Sequence, residues 1–364
     1  MNPIAVYVHI PFCPSKCGYC DFNSYAMEGE IMERTTRAII AEIERSEQRG
    51  RPAKSLFFGG GTPTFLSAAQ LLRILDAVVC AHPPTQRCEI TSEANPGTAD
   101  AGKFKQMRTA GFNRLSLGAQ SFQDGELLRL GRIHKSDETV RAVASAREAG
   151  FTNLNLDLMF ALPNQTDAVW QDNLYKALAL NPEHLSLYCL TIEPNTAFYK
   201  QQKRGMLTVP NEEAQIRMYE SCAKTAAQHG LFQYEISNYA KPGFECVHNL
   251  TYWRGEEYAA YGPGAVSRIG SVRQTRVKHP ARYCEAVENG FSLYCEQESL
   301  TENDLRTEKI MLGLRLNRGV NAEVLDAQAA NRVIARGWIE KTENRFRLTP
   351  EGRRFCNQAI LELI

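Results

Sequence analysis

Residues 4–22 read IAVYVHIPFCPSKCGYCDF. The apolar run from Ile4 to Ile10 predicts a first β-strand, and the loop after it carries Cys13, Cys17 and Cys20 in the spacing CxxxCxxC. Three thiolates so close in sequence favour a single metal centre. Because four thiolates would complete a cubane iron-sulfur cluster, three leave one iron open to an exogenous ligand. The stretch therefore predicts a cluster at which chemistry or ligand binding takes place.

Two other interpretations of the cysteines stay open at this point. A structural zinc site would use His9 as a fourth ligand, but such sites usually pair two short cysteine knuckles and the chain has no second one. Three buried cysteines without a metal would require a Pro-rich turn to pack as core. The iron-sulfur interpretation is favoured over both.

The composition is that of a soluble protein without a strong net charge. The 364 residues suffice for one large domain and a smaller one, and 42 Lys and Arg against 41 Asp and Glu give no reason to expect nucleic acid as a partner. The chain lacks a signal-peptide pattern and a long apolar run, so we expect a cytoplasmic protein without a transmembrane segment. The eleven cysteines are odd in number and scattered apart from the first three, which fits a reducing compartment better than a disulfide framework.

Residues 1–230 alternate between short apolar runs and segments of helical period. The predicted strands are Ile4 to Ile10, Ser55 to Phe58, Cys88 to Ser92, Arg114 to Leu117, Asn153 to Phe160 and His184 to Leu190. The predicted helices are Glu28 to Gln48, Ala68 to Ala81 with Ser67 as N-cap, Ala101 to Ala110, Asp137 to Ala149, Ala168 to Leu180, and Glu212 to His229. Six such repeats predict an α/β fold with an incomplete (β/α)6 barrel, whose working residues lie at the carboxyl ends of the strands.

The remaining chain is predicted to form two further parts. Residues 231–300 form a connecting region rich in glycine and aromatic residues. Residues 301–364 show two helices, a two-stranded hairpin and a last helix, an order that resembles a smaller α+β, winged-helix-like domain. Because the net charge is near zero, we interpret this part as a packing or partner-docking domain, with DNA binding as the weaker alternative.

Polar residues follow several of the predicted strands. Residues 57–64, FFGGGTPT, follow the second strand, and their glycines allow close approach of a ligand to the backbone as well as positive φ angles. Later strand ends carry Glu93, Gln120, Arg132 and Asp157. An ionised Asp157 within so apolar a strand is costly unless its charge is compensated. Each residue alone fits a helix cap or an internal salt bridge, but together they favour a site for a polar ligand.

The cysteine loop and the GGGTP run resemble those of the radical S-adenosylmethionine (SAM) superfamily, in which SAM chelates the open iron of a 4Fe-4S cluster. The resemblance implies that Cys13, Cys17 and Cys20 bind the cluster. In the coproporphyrinogen dehydrogenase-like branch of the superfamily, the SAM contacts correspond to Tyr7, Tyr19, Gly60, Gly61, Thr62, Glu93, Gln120, Arg132 and Asp157, with Thr191 as a weaker candidate. A guanidinium suits the methionine carboxylate, and carboxylate and amide oxygens suit the ribose hydroxyls.

Residues 246–253, CVHNLTYW, form a second motif. If the segment is helical, His248 and Tyr252 share one face, with Trp253 beside them. An imidazole among aromatic rings can ligate haem iron, although a hydrogen-bonded histidine over an aromatic core is the simpler interpretation of these residues alone. The run is similar to the HNxxYW signature of the haem chaperone family HemW, a resemblance that implies haem binding by these three residues.

Two features favour this family over the related coproporphyrinogen III dehydrogenases. The cluster loop of the dehydrogenases continues as CxxxCxxCxC, whereas this chain has Phe22 at the fourth position. The dehydrogenases also carry a segment of tens of residues before the tyrosine that corresponds to Tyr7. The resemblance to the HemW family extends over nearly the whole chain.

Two functional hypotheses follow from these resemblances. The leading one is a chaperone that binds a 4Fe-4S cluster, SAM and haem and delivers haem to respiratory haem proteins. It includes a homodimer promoted by the cluster and SAM, and contact with the membrane only at its surface. The alternative is an oxygen-independent coproporphyrinogen III dehydrogenase, which cleaves SAM reductively and decarboxylates its substrate by radical chemistry. Enzyme activity stays open between the two.

Overall fold

The computed structural model describes residues 2–364 and confirms the predicted α/β fold with an incomplete barrel. Its centre consists of six parallel strands in chain order: β1 (Ile4–Ile10), β2 (Ala53–Gly60), β3 (Pro84–Ala94), β4 (Arg114–Gln120), β5 (Leu154–Phe160) and β6 (His184–Cys189). Most of their residues are buried on both faces, as expected for parallel strands covered by helices. The sheet ends at different strands on its two edges, so the barrel stays open.

Helices connect these strands along the outer face of the sheet. They are α1 (Glu30–Glu44), α2 (Ala68–Ala81), α3 (Ala101–Ala110), α4 (Asp124–Leu130), α5 (Ser136–Glu148), α6 (Asp167–Ala179), α7 (Ala197–Lys203) and α8 (Glu212–Gln228), with short 3-10 segments at Pro63–Phe65 and Pro96–Thr98. Ser67 forms the predicted N-cap, since its Oγ accepts from Gln70 N at 3.2 Å. Within residues 2–364 no helix has the length and apolar content that crossing a membrane requires.

Residues 231–300 extend the same sheet at both edges. They form β7 (Phe232–Gln233), β8 (Asn238–Ala240), α9 (Val247–Trp253), β9 (Tyr258–Tyr261), β10 (Val266–Ile269), β11 (Val272–Arg276), α10 (Pro280–Asn289) and β12 (Tyr294–Ser299). Strand β8 runs antiparallel to β6, whereas β9 runs parallel to β1 on the opposite edge. The predicted connecting region is therefore part of the large sheet, which has twelve strands in total among the described residues.

The C-terminal residues have a separate hydrophobic core. They form α11 (Glu302–Gly313), β13 (Val320–Asn321), a 3-10 segment (Ala322–Val324), α12 (Ala327–Ala335), β14 (Ile339–Thr342), β15 (Arg345–Leu348), α13 (Pro350–Arg354) and α14 (Cys356–Leu361). Ile310, Val333 and Ile360 pack together within this core. Helix α12 begins at Ala327 because Asp326 caps it, accepting from Ala329 N at 2.8 Å.

The inner face of the large sheet carries buried charge. Arg114 is only 2% exposed and lies 3.9 Å from the carboxylate of Glu89. Asp157 accepts from Ser116 Oγ at 2.9 Å and from Asn155 Nδ2 at 2.8 Å. Burial raises the pKa of Asp157, while these hydrogen bonds and the nearby Arg114 guanidinium offset part of the cost of its charge inside β5.

Candidate cluster and cofactor site

A cavity of about 390 Å³ opens at the carboxyl ends of the central strands. We call it the cofactor cavity. Its wall includes Cys13, Cys17, Cys20, Tyr19, Gly60, Gly61, Thr62, Glu93, Gln120, Arg132, Asp157 and Thr191. Parallel strands present their carboxyl ends at the same edge, so residues far apart in sequence meet here. The structure thus brings together all three predicted cluster ligands and all but one of the predicted SAM contacts.

Backbone hydrogen bonds hold the cysteine loop at the mouth of this cavity. Gly18 N donates to Leu130 O at 3.0 Å, and Gly18 O accepts from Phe198 N at 2.9 Å. A Cβ on Gly18 would lie 2.7 Å from the Phe198 ring, so only glycine allows this contact. The loop is fixed from two sides, and its three cysteines keep their positions relative to the strand ends.

Each cysteine sulfur has a polar neighbour in the cavity wall. The sulfur of Cys13 lies 3.5 Å from Thr62 Oγ1, and that of Cys17 lies 3.7 Å from Arg132 Nη1. Burial raises the pKa of the Cys13 and Cys20 thiols, so binding of a metal centre would have to displace their protons. The thiols, the open cavity beside them and a neighbouring cation fit a cluster bound by three thiolates.

The geometry does not favour the alternative of a zinc site. His9 is buried, and its two ring nitrogens are engaged: Nδ1 lies 3.0 Å from Tyr7 Oη and Nε2 lies 2.8 Å from Asn23 O. Across the described part of the chain, no three His, Cys, Asp or Glu side chains converge as they would on one metal ion. Thiolates that each bind a different iron of a cubane need not converge in this way.

The glycine run packs against the cysteine loop. Gly60 has a φ of 109°, and a Cβ there would lie 2.4 Å from His9 Cε1. Gly61 N donates to Ile10 O at 2.8 Å, and Thr62 N donates to Phe12 O at 2.7 Å. These two backbone N–H groups already have partners, so the turn can bind a ligand ammonium group only through its carbonyl oxygens. The primary role of the glycines is to allow close contact between chain segments.

Arg132 is the cation of the cofactor cavity. Its Nη2 donates to Gly118 O at 2.7 Å, whereas its Nε is buried without a hydrogen-bond partner among residues 2–364. An unsatisfied buried donor of a charged group costs about 1–3 kcal/mol or more. A carboxylate bound near Cys17 would relieve this cost, as the predicted role of Arg132 requires.

Glu93 has an unusual protonation equilibrium. Burial and the nearby Asp157 carboxylate raise its pKa to about 8, although Gly60 N donates to its Oε2 at 3.1 Å. Nearby Gln120 has a φ of 63°, a conformation that is costly for a residue with a side chain. Raised pKa values and backbone strain of this kind cluster at functional sites.

The structure places Tyr7 in a different cavity from the other predicted SAM contacts. This neighbouring cavity shares Phe22, Gly60 and Glu93 with the cofactor cavity. Several further wall residues were not predicted from the sequence, namely Asn95, Ser116, Gly118, Met159, Tyr188 and Glu193. Tyr188 stands near the end of β6, so the rule that barrel sites form at strand ends could have identified it.

Helix α9 carries the HNxxYW residues, and its histidine is buried. His248 is 1% exposed; its Nδ1 lies 3.0 Å from Ser55 Oγ and its Nε2 lies 2.9 Å from Tyr252 Oη. Its ring stacks on Phe57 with centroids 4.9 Å apart, and burial lowers its pKa to about 3. Neither ring nitrogen is free for iron in this conformation, whereas Tyr252 and Trp253 line an open cleft.

Family models match two parts of the chain. Residues 7–174 match the radical SAM superfamily, and residues 300–355 match the HemN C-terminal domain. The solved structure of coproporphyrinogen III oxidase HemN from Escherichia coli superposes with a TM-score of 0.85, covering 99% of this chain and 90% of that one. At 23% identity this likeness concerns the fold alone.

Curated relatives match the chain over its whole length. The heme chaperone HemW of Bacillus subtilis is 38% identical, with 98% of each chain covered. HemW of Escherichia coli is 37% identical over 100% of this chain and 98% of its own. HemW of Haemophilus influenzae is 38% identical, with the same coverage. The chain therefore belongs to the haem chaperone family HemW, within the radical SAM superfamily.

Proposed function

We propose that this protein binds a 4Fe-4S cluster, SAM and haem, and that it delivers haem to haem-requiring proteins. The observation that carries the proposal is the convergence of three cysteines and the strand-end polar residues on one cavity in a chain of the HemW family. Respiratory haem proteins as acceptors, a homodimer, contact at the membrane surface and a cytoplasmic location are further parts of the proposal.

The cofactor cavity would hold the cluster and SAM. Cys13, Cys17 and Cys20 would bind three irons, and the fourth, open iron is where bound SAM would be chelated and activated. Arg132 would hold the methionine carboxylate, because its buried Nε, beside the cysteine loop, has no hydrogen-bond partner within residues 2–364. Glu93 and Asp157 supply oxygens for the ribose hydroxyls.

The HNxxYW segment would contribute to haem binding through helix α9. Tyr252 and Trp253 line an open cleft and are positioned to contact a porphyrin. His248 remains a candidate ligand only if it gives up its hydrogen bonds to Ser55 and Tyr252. In the conformation described, its contribution is to hold the phenol of Tyr252.

Haem titration of the cluster-reconstituted protein, with and without SAM, tests the proposed function. We expect a saturable change in the Soret band at one haem per chain and transfer of that haem to an apo-acceptor. Absence of saturable binding would contradict the proposal. Stoichiometric decarboxylation of coproporphyrinogen III, in an anaerobic assay with SAM and dithionite, would instead establish the dehydrogenase alternative.

A further inference from the structure

A second and larger space lies between the large sheet and the C-terminal core. It is a cleft of about 970 Å³, at the upper end of the range for small-molecule sites. One wall comes from β6, α8 and the residues around β8, another from the end of α9, and the third from Arg315 and helices α13 and α14. Because Arg315, Arg353 and Arg354 all lie on this third wall, we call the space the arginine cleft.

Two of the three arginines have neutral hydrogen-bond partners. Arg353 Nη1 donates to Gln233 Oε1 at 2.7 Å, and Arg315 Nη2 donates to Asn357 Oδ1 at 3.3 Å. The third, Arg354, pairs with Glu220 at the surface, where both side chains are half exposed. Guanidinium groups bound to neutral amides keep their charge available for an anion, and their planar donors suit carboxylates.

The opposite walls of the cleft combine aromatic and apolar side chains with polar ones, among them Glu212 and Gln215. Phe160, Ile216, Tyr219 and Trp253 line it, and the Arg315 guanidinium lies 5.9 Å from the centre of the Trp253 ring. A flat apolar molecule can pack against such walls over a large area. A site with aromatic side chains on one side and cations on the other fits a ligand that is planar and apolar at one end and anionic at the other.

The floor of the cleft contains polar groups that the protein itself does not satisfy. Glu235 is fully buried and Asn238 is 3% exposed, yet Glu235 Oε1 and Asn238 Oδ1 have no hydrogen-bond partner among residues 2–364. Native structures contain few buried polar atoms without a hydrogen-bond partner, so each one requires an explanation. Both atoms are acceptor oxygens that only a hydrogen-bond donor could satisfy, so the case for a ligand in the cleft rests on its arginines and its aromatic side chains.

We propose that the arginine cleft is the haem site, with the macrocycle against the aromatic walls and the two carboxylates at Arg315, Arg353 and Arg354. This inference rests on the proposed function, because it assumes that the protein binds haem. The described residues that line the cleft include no histidine. The iron would then take a thiol or phenol ligand, for which Cys189, Cys356, Tyr188, Tyr219 and Tyr252 are present. His248 acts as a positioning residue for Tyr252.

The test is haem titration of the full-length, reconstituted protein and of its triple variant Arg315→Gln, Arg353→Gln, Arg354→Gln. We expect the dissociation constant to rise on the order of tenfold for each lost guanidinium that contacts a carboxylate. The matched control removes three arginines away from the cleft, Arg141→Gln, Arg336→Gln and Arg347→Gln, and should bind haem like the wild type. Circular dichroism and the cluster absorbance establish that both variants are folded.

Haem dimethyl ester supplies an independent second measurement. Esterification should weaken binding to the wild type by a factor close to that of the triple substitution, and it should have little further effect on the triple variant. If the wild type binds haem and the triple variant binds equally well, the inference about the cleft is wrong and the proposed function stands. If the wild type shows no saturable binding, the proposed function itself fails.

Discussion

The cofactor cavity and the arginine cleft share the side chain of Tyr188 but are assembled in different ways. The cofactor cavity collects residues 13–193, which the order of parallel strands brings to one edge. The arginine cleft depends on where the C-terminal core docks, through contacts such as Asn317 N to Tyr234 O at 3.0 Å. A motif read from sequence can therefore identify the first site, whereas the second exists only in the assembled chain.

Replacing Cys13, Cys17 and Cys20 together by serine would have the largest effect. We expect complete loss of the cluster absorbance, because serine does not replace thiolate as a ligand to these irons. Haem affinity should change by much less than in the cleft variant, since none of these cysteines lines the arginine cleft. Serine at Cys80, an exposed cysteine, is the control. Equal loss of haem and cluster would show that the two sites are not separate.

Arg132→Met should weaken SAM binding on the order of tenfold to a hundredfold, because it removes the only guanidinium that lines the described cofactor cavity. Equilibrium dialysis of SAM with the reconstituted protein measures the change. Arg129→Met, at an exposed position in the same stretch of chain, should leave SAM binding unaltered. Unchanged SAM affinity in Arg132→Met would remove this residue from the predicted contacts.

His248→Ala should lower the free energy of unfolding by about 2–4 kcal/mol, since it deletes a buried ring and its hydrogen bonds to Ser55 and Tyr252. Chemical denaturation measures the loss, with exposed His229→Ala as the control. We expect haem to bind a fewfold more weakly with an unshifted Soret band. A shifted or absent band in a variant of normal stability would instead establish His248 as the iron ligand.

Glu93→Gln should have the smallest effect, a changed pH dependence of stability. The folded chain holds a proton on Glu93 up to a pKa of about 8, whereas the ordinary value is 4.5. Between these values the unfolded chain binds fewer protons, so the stability of the cofactor-free wild type falls as pH rises. Glutamine removes this contribution, and we expect a smaller fall in Tm from pH 5 to pH 8 than in the wild type.

The control for this last experiment is the exposed Glu148→Gln, which should retain the wild-type pH dependence. The charged groups that act on Glu93 are Asp157 and Arg114, and both belong to the interior of the sheet. A pH profile of Glu93→Gln that matches the wild type would assign the dependence to other groups. Neither substitution should alter haem binding in the arginine cleft.

Most of the predicted site residues line one cavity, because each lies at the end of a strand or in the loop that follows it. The cysteine spacing, the glycine turn and the polar strand ends each occupy a position that the βα order fixes in space. Tyr7 was placed with the others by resemblance, but its phenol instead contacts His9 in the neighbouring cavity. The glycines, predicted to form a ligand loop, line the cavity, and their missing Cβ atoms also make room for His9 and the cysteine loop.

What the sequence did not predict depends on tertiary contacts. Strand β9, with the residues Tyr-Ala-Ala-Tyr, lacks β-branched residues and is extended because it pairs with β1. The burial of His248 between Ser55 and Phe57 follows from the docking of α9 on β2, which no periodicity of the motif encodes. The three cleft arginines lie in the C-terminal domain. The sequence of this domain predicted its helices and its hairpin, but not a ligand cleft.

The shared wall at Tyr188 has a consequence for how the two ligands would regulate each other. This side chain is 40% exposed and belongs to the linings of both spaces, so a rotation that suits one ligand alters the room left for the other. Thermodynamic linkage makes any such influence mutual: if SAM raises the affinity for haem by some factor, haem must raise the affinity for SAM by the same factor. A coupling of this kind would be weak, in line with the small change in haem affinity expected when the cluster is lost, and it would act through Tyr188.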